Sequence, residues 1–160
     1  MIPRPVRNNN PGDLEVTHGV HWLGLLPESK MTPEQLHEPR FLVFASPEMG
    51  FRALTILLRN YQRIYQCDTI NAIVRRFAPP SENPTSVYAS EVAHECGVDP
   101  FAPVDLNDRE FAFKLCKAMT RFETGSWEPY WNDNQLSLGI GLTGLYPITI
   151  PIDPAAREAA

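Results

Sequence analysis

The chain has little cysteine, no long apolar run and no basic excess, and each shortage excludes something. Three cysteines in 160 residues, Cys67, Cys96 and Cys116, form no CxxC pair. That argues against a disulfide framework and a zinc site, and predicts reduced, mostly buried thiols. No uninterrupted apolar stretch reaches the roughly 18–20 residues of a membrane span, so no stable membrane insertion is expected. Residues 1–16 lack the apolar centre of a secretory signal, so the protein is expected to be made in a cytosol and carried elsewhere by other means. Lys and Arg number 14 against 19 Asp and Glu, for a formal net charge of −5. With a pI near 5.3 there is no electrostatic footprint for nucleic acid. His18, His21, His37 and His94 show no metal spacing such as HExxH. Gly139-Ile140-Gly141-Leu142-Thr143-Gly144 matches the dinucleotide fingerprint by letters, without a strand before it or a helix after it. No metal and no cofactor are expected.

What is abundant is proline, 16 residues, about twice average usage. Apolar residues at 43% and charged residues at 21% are ordinary for a globular chain. The length suits one domain with a real core. Residues 1–40 lack helical periodicity and are broken by Pro3, Pro5, Pro11, Pro27, Pro33 and Pro39. They read as an ordered loop region, with a short hairpin and a brief helical turn at Thr32–Leu36. Asn8-Asn9-Asn10-Pro11-Gly12-Asp13 is a dense turn signal.

Helices follow. Ser46 as N-cap, Pro47 in the first position and Glu48 near the positive end predict a helix through residue 65, with Phe51, Leu54, Leu58 and Tyr61 inward. A second runs from about Thr69, on Ile70, Ile73, Val74 and Phe77. A third starts at Asn83-Pro84 and stops at Gly97. A fourth starts at Asn107, paired with Glu110 in a capping-box pattern, and stops at Gly125. Its inner stripe is Phe111, Leu115, Ala118, Met119 and Phe122. Beyond it Leu136, Leu138, Ile140 and Leu142 alternate, and Ile148, Ile150 and Ile152 repeat the pattern. Period two predicts extended chain, and Pro147 and Pro151 make it an edge strand or an arm.

Among groups that could do chemistry, Glu123 stands in the last turn of the fourth helix. The helix's negative end disfavours its ionised form, and Phe122, Trp127 and Trp131 could add an apolar wall with the same effect. A carboxylic acid held protonated near neutral pH is what a glycosidase uses to protonate a leaving oxygen. A solvated surface glutamate is the other reading. Glu82 is either a second carboxylate or support for a helix start, with Asn83 beside it. Arg7, Asn8, Asn9 and Asn10 could hydrogen-bond hydroxyl and N-acetyl groups, or simply build a turn. Trp22, Trp127, Tyr130 and Trp131 could stack on sugar faces or plug the ends of a helical core. Arg59, Arg63, Arg75 and Arg76 read as solvated helix faces.

Two resemblances join these residues. Arg7-Asn8-Asn9-Asn10-Pro11-Gly12, Trp22-x-Gly24, Arg40-Phe41-x-x-Phe44, Gly50-Phe51-Arg52-Ala53-Leu54 and Ala78-Pro79-Pro80-x-Glu82-Asn83-x-Thr85-x-x-Tyr88 look like a group of phage and prophage proteins. That group is labelled virion structural proteins or lysins. The match spans about residues 7–125, with Asp13 where the pattern has Asn and Phe77 where it has Trp. Bacterial glucosaminidases of the flagellar and autolysin type, with a lysozyme-like fold, are similar in a second way. They carry a helix ending Glu-[Ser/Thr]-Gly-Trp, then an Asn-Asn-x-x-Gly loop, Trp-x-Gly, and Phe-x-x-Phe/Tyr-x-Ser opening a helix. Here Asn8–Gly12, Trp22-x-Gly24 and Phe41-x-x-Phe44-x-Ser46 keep that order, while Glu123-Thr124-Gly125 lies at the other end of the chain.

That arrangement is what a circular permutation of a lysozyme-like domain would look like, since domain termini often lie close together. The resemblance implies a mainly α, lysozyme-like body over residues 7–130 and an extended apolar tail over 131–160, in one domain spanning 1–160. It implies a phage-encoded enzyme that cleaves bacterial peptidoglycan as a muramidase, glucosaminidase or lytic transglycosylase. Glu123 would be the acid/base and Glu82 a helper. Arg7, Asn8, Asn9, Asn10, Trp22, Arg52, Asn83, Tyr88 and Trp127 would line or support the cleft. Such a protein would act in the virion, beside other virion proteins, or at the cell wall. A non-catalytic virion structural or glycan-binding protein is the alternative from another class.

Overall fold

The computed structural model describes residues 1–81 and 84–145. Among them are seven α-helices and no strand. In chain order these are α1 (Arg4–Arg7), α2 (Pro33–Leu36), α3 (Pro47–Tyr65), α4 (Ile70–Phe77), α5 (Thr85–Cys96), α6 (Arg109–Thr124) and α7 (Asp133–Gly141). A 3-10 turn at Glu28–Lys30 precedes α2. The protein is mainly α, as its patterning predicts.

The helix starts follow the side chains that cap them. Ser46 accepts from the Met49 amide with Pro47 in the first position of α3. Thr69 does the same for Ala72 at the start of α4. The cap of α6 falls one residue later than expected: Asp108, not Asn107, accepts from the Glu110 and Phe111 amides. Asn107 lies outside the helix and accepts from Arg59. In α5 the first helical residue is Thr85, with Pro84 at the cap position. The expected Asn83 cap lies outside the described residues, as do Glu82 and the alternating segment at 148–152. Gly97 and Gly125 close α5 and α6 in the left-handed conformation, φ 70° and 88°.

The N-terminal region is irregular but tied down. Isolated antiparallel bridges join Glu15 to Phe41 and Leu25 to Phe44. They link distant segments, so the expected hairpin does not form.

The segment around residues 133–141 is corrected by the structure. It is helix, not extended tail. Asn132 and Gln135 form a reciprocal capping box that starts α7. Leu136 and Ile140, four apart, are fully buried. At helical spacing they share one face, while Leu138 and Leu142 are exposed. Gly139 lets α7 approach α3: a Cβ there would sit 2.7 Å from the Glu48 carbonyl oxygen. The period-two pattern was a byproduct of Ser137, Gly139 and Gly141 between the apolar residues, not of a sheet.

The core gathers α3, α4, α5, α6 and α7 around Leu54, Leu58, Ile73, Leu115, Met119 and Leu136, each fully buried. Trp127 and Trp131 belong to it too, packing against Phe51 at ring-centroid distances of 5.9 and 5.4 Å. Cys67, Cys96 and Cys116 are buried and free. On the opposite flank of α3, Gly50 lies directly under the Asn9 carbonyl, where any Cβ would collide. α1 packs against α6. The Asn-rich loop is thereby brought to the C-terminal half of the chain.

Candidate functional site

The last turn of α6 opens into a cleft of about 690 Å³. Glu123 lines it from α6, and Gly12, Asp13 and Leu14 line it from the end of the Asn-rich loop. Trp22, Phe41, Tyr61 and Phe77 supply aromatic surface, and Arg4, Glu15, Arg40 and Arg76 supply charge. Ends of the chain more than a hundred residues apart thus share one concave surface.

Glu123 is largely buried, and burial pushes its carboxyl up from 4.5 to about 7. Taking a carboxylate out of water costs more than the nearby donors return. The Tyr88 hydroxyl donates to Glu123 Oε1 at 2.8 Å and pulls the other way. Asp13 raises the value further by charge repulsion, and Arg4 lowers it. The apolar wall expected from Phe122, Trp127 and Trp131 is built differently. Phe122 acts through Tyr88, stacked on its ring at 3.8 Å. The two tryptophans face Phe51 instead, and Trp131 donates its indole N–H to Thr124.

Tyr88 is almost fully buried between Phe122 and Phe77. Burial, then the neighbouring Glu123 charge, raises its phenol well above the usual 10. It stays protonated and is a fixed donor. Its place is behind the carboxyl, so it positions Glu123 rather than binding substrate.

Asp13 is the second carboxylate of the cleft, and Arg4 holds it with two bonds, Nε to Oδ1 at 3.0 Å and Nη2 to Oδ2 at 2.6 Å. The guanidinium lies 3.5 Å above the Phe41 ring and also reaches Glu38. Asp13 sits at φ 49°, a backbone region that Asn and Asp tolerate better than most residues. Where the phage pattern has Asn, this chain has an acid with its own cation.

Several expected contact residues are scaffold. Asn8 and Asn10 are fully buried. Asn10 donates to the Leu14 and Leu42 carbonyls and accepts from the Leu14 amide. Asn9 donates to the Phe44 carbonyl. Arg7 pairs with Glu38. The Asn9 and Asn10 amides are thus engaged with backbone, while the Asn8 amide is buried with no hydrogen-bond partner among the described residues. Trp127 is 8% exposed, in the core and under Lys117. Arg52 does not line the cleft. Of the expected set, Glu123 and Trp22 line the cleft and Tyr88 touches Glu123. Glu82 and Asn83 are outside the described residues.

Sequence reasoning missed Arg4, Glu15, Arg40, Tyr61 and Arg76. Arg4 and Asp13 are nine apart, a spacing no regular element marks. Arg76 looked like a solvated helix face, and it is exposed, but it stands at the cleft.

A mainly helical protein with a perturbed carboxylic acid in an open cleft is the class that fold and site define. No protein-family model matches the chain. It is 33% identical over 132 residues to Protein P5 of Pseudoalteromonas phage PM2, covering 81% of this chain and 76% of that one. The chain belongs to the same phage protein family as Protein P5.

Proposed function

We propose that the protein is a peptidoglycan-cleaving glycosidase in which Glu123 is the general acid and then the general base. The observation that carries this reading is a carboxyl with a pKa of about 7, held by Tyr88 in a cleft beside Asp13. Near neutral pH such a group carries its proton about half the time, the condition for giving it up and taking it back. Convergence of Glu123 with the residues after the Asn-rich loop also supports the permuted lysozyme-like arrangement.

The arrangement favours a lytic transglycosylase over a hydrolase. Asp13 has both oxygens engaged by Arg4, and Glu15 pairs with Arg40 at 2.7 Å. Among the described residues, Glu123 is the cleft carboxyl without a basic partner. One free carboxyl suffices when the substrate supplies the nucleophile. Glu123 protonates the glycosidic oxygen as the bond from C1 breaks. The resulting carboxylate then takes the proton of the sugar's own C6 hydroxyl as that oxygen bonds to C1. The proton is returned and a 1,6-anhydro ring ends the product. Trp22, in the cleft lining, offers a face on which a sugar ring can stack.

The test is loss of turbidity of purified Gram-negative peptidoglycan, wild type beside Glu123→Gln, with mass spectrometry of the released fragments. Wild-type activity that the variant loses, with anhydro ends, is the expected result. Reducing ends would make it a hydrolase. A folded but inactive wild type would overturn the enzymatic reading in favour of a virion structural or glycan-binding role. Activity in both proteins would place the chemistry on another carboxyl.

A further inference from the structure

The net charge of −5 gives no general attraction to an anionic polymer. The cleft is different in detail. Of the three arginines that line it among the described residues, Arg4 holds Asp13 and Arg40 holds Glu15. Arg76 is placed otherwise. Its guanidinium lies 3.3 Å from the centroid of the Tyr65 ring and 5.3 Å from that of Tyr61. Among the described residues no carboxylate or other acceptor takes a hydrogen bond from it. Stacking occupies the face of a guanidinium and leaves its edge, where the N–H donors lie, open to an acceptor. A cation already held by stacked rings loses less freedom on binding than a free side chain.

We propose that Arg76 is a carboxylate-binding subsite of the cleft, held by Tyr61 and Tyr65, which takes an acid group carried by the cell-wall glycan. This rests on the glycosidase reading and deepens it: the protein would recognise acid-bearing strands rather than bare amino-sugar polymer. A bidentate bond from the guanidinium edge suits a planar carboxylate and is poorly satisfied by neutral hydroxyls. Stem-peptide carboxylates and the lactyl carboxylate of muramic acid share this chemistry. The neighbouring Arg75 is exposed on the same helix but does not line the cleft, which makes it an internal comparison.

Binding is measured with full-length Glu123→Gln protein, so that no probe is consumed. The probes are intact sacculi, amidase-treated glycan strands whose acids are the lactyl groups, and uncharged chitooligosaccharides. Adding Arg76→Gln should weaken binding to sacculi roughly tenfold, about what one exposed charge-assisted contact is worth. It should leave chitooligosaccharide binding unchanged. Because the lactyl carboxyl is an amide until the amidase frees it, a comparable loss on amidase-treated strands would show that the subsite takes that carboxylate as well as the peptide's, and no loss there would restrict it to the peptide. Arg75→Gln should change nothing. Equal weakening on all three probes, or none on sacculi, would overturn the subsite alone. Failure of the Glu123→Gln protein to bind any glycan, with wild type inactive on sacculi, would overturn the glycosidase reading and the subsite with it.

Discussion

The Tyr88 hydroxyl donates to Glu123 Oε1 at 2.8 Å, from a ring stacked on Phe122, one residue before that glutamate. The bond joins α5 to the last turn of α6 and orients one carboxyl oxygen, leaving the other for the cleft. Yet Glu123 still titrates near 7, because burial outweighs the donor. This balance makes the site testable without knowing its substrate.

Glu123→Gln should stabilise the fold at neutral and alkaline pH while it abolishes cleavage. A carboxyl at 4.5 unfolded and about 7 folded binds its proton more tightly in the native state. The contribution of Glu123 to stability should therefore be largest below pH 4.5, fall through the window between the two values, and level off above about 7, and the difference between wild type and variant isolates it. The full span is about 3 kcal/mol at most. Denaturant melts of both proteins at pH 5 and pH 8 would measure it. A wild type and variant with the same pH dependence would show that Glu123 titrates normally.

Tyr88→Phe keeps the ring between Phe77 and Phe122 and removes the hydroxyl. The bond lowers the Glu123 pKa, so its loss should raise that value above 7. The alkaline limb of the pH–rate profile should move upward, with kcat reduced because the carboxyl is less well oriented. Stability should fall by about 1 kcal/mol, the usual net worth of one hydrogen bond. A profile unchanged in position would remove Tyr88 from the site.

Leu136→Ala should cost about 2–5 kcal/mol, as for other fully buried leucines. Gly139→Ala should destabilise as well, since its methyl would press on the Glu48 carbonyl. Leu138→Ala, at an exposed position of the same helix, should be nearly neutral. Thermal melts of the three would separate a packed helix from an extended arm. An arm would make all three mild and similar.

That helix marks where the sequence stopped being legible. The starts of α3 and α4 were readable because one side chain and a following proline or apolar stripe define them locally. The end of α6 was readable from Gly125. Period two between Leu136 and Leu142 looked like a strand because α7 is short and carries glycine at two of nine positions. Its burial depends on contacts with α3, some ninety residues earlier, which no local pattern records. The site divides the same way. Glu123 was visible from its helix end and motif. The Asn-rich motif was visible too, but the Asn9 and Asn10 amides turn inward to the Leu14, Leu42 and Phe44 carbonyls, which buried backbone must satisfy. Arg4 and Asp13 meet because the loop after α1 turns back on it, with the Asn10 backbone amide on the Pro5 carbonyl and the Asp13 backbone amide on the Asn10 carbonyl.

Asp13→Asn tests that last pairing and returns the residue of the phage pattern. Asp13 raises the Glu123 pKa by repulsion, and Arg4 lowers it. Removing the Asp13 charge should therefore lower the Glu123 value on two counts, by less repulsion and by an Arg4 no longer neutralised at close range. Activity should then fall at neutral pH and its optimum move toward acid. Fold stability should drop by no more than about 1 kcal/mol, because the pair is partly solvent-exposed and Arg4 keeps Glu38. Arg4→Gln should shift the Glu123 pKa the opposite way. Carboxyl carbon chemical shifts of Glu123, followed through pH in the three proteins, would give the order directly. Shifts of the same sign in both variants would mean that the ion pair acts on Glu123 through packing rather than through charge.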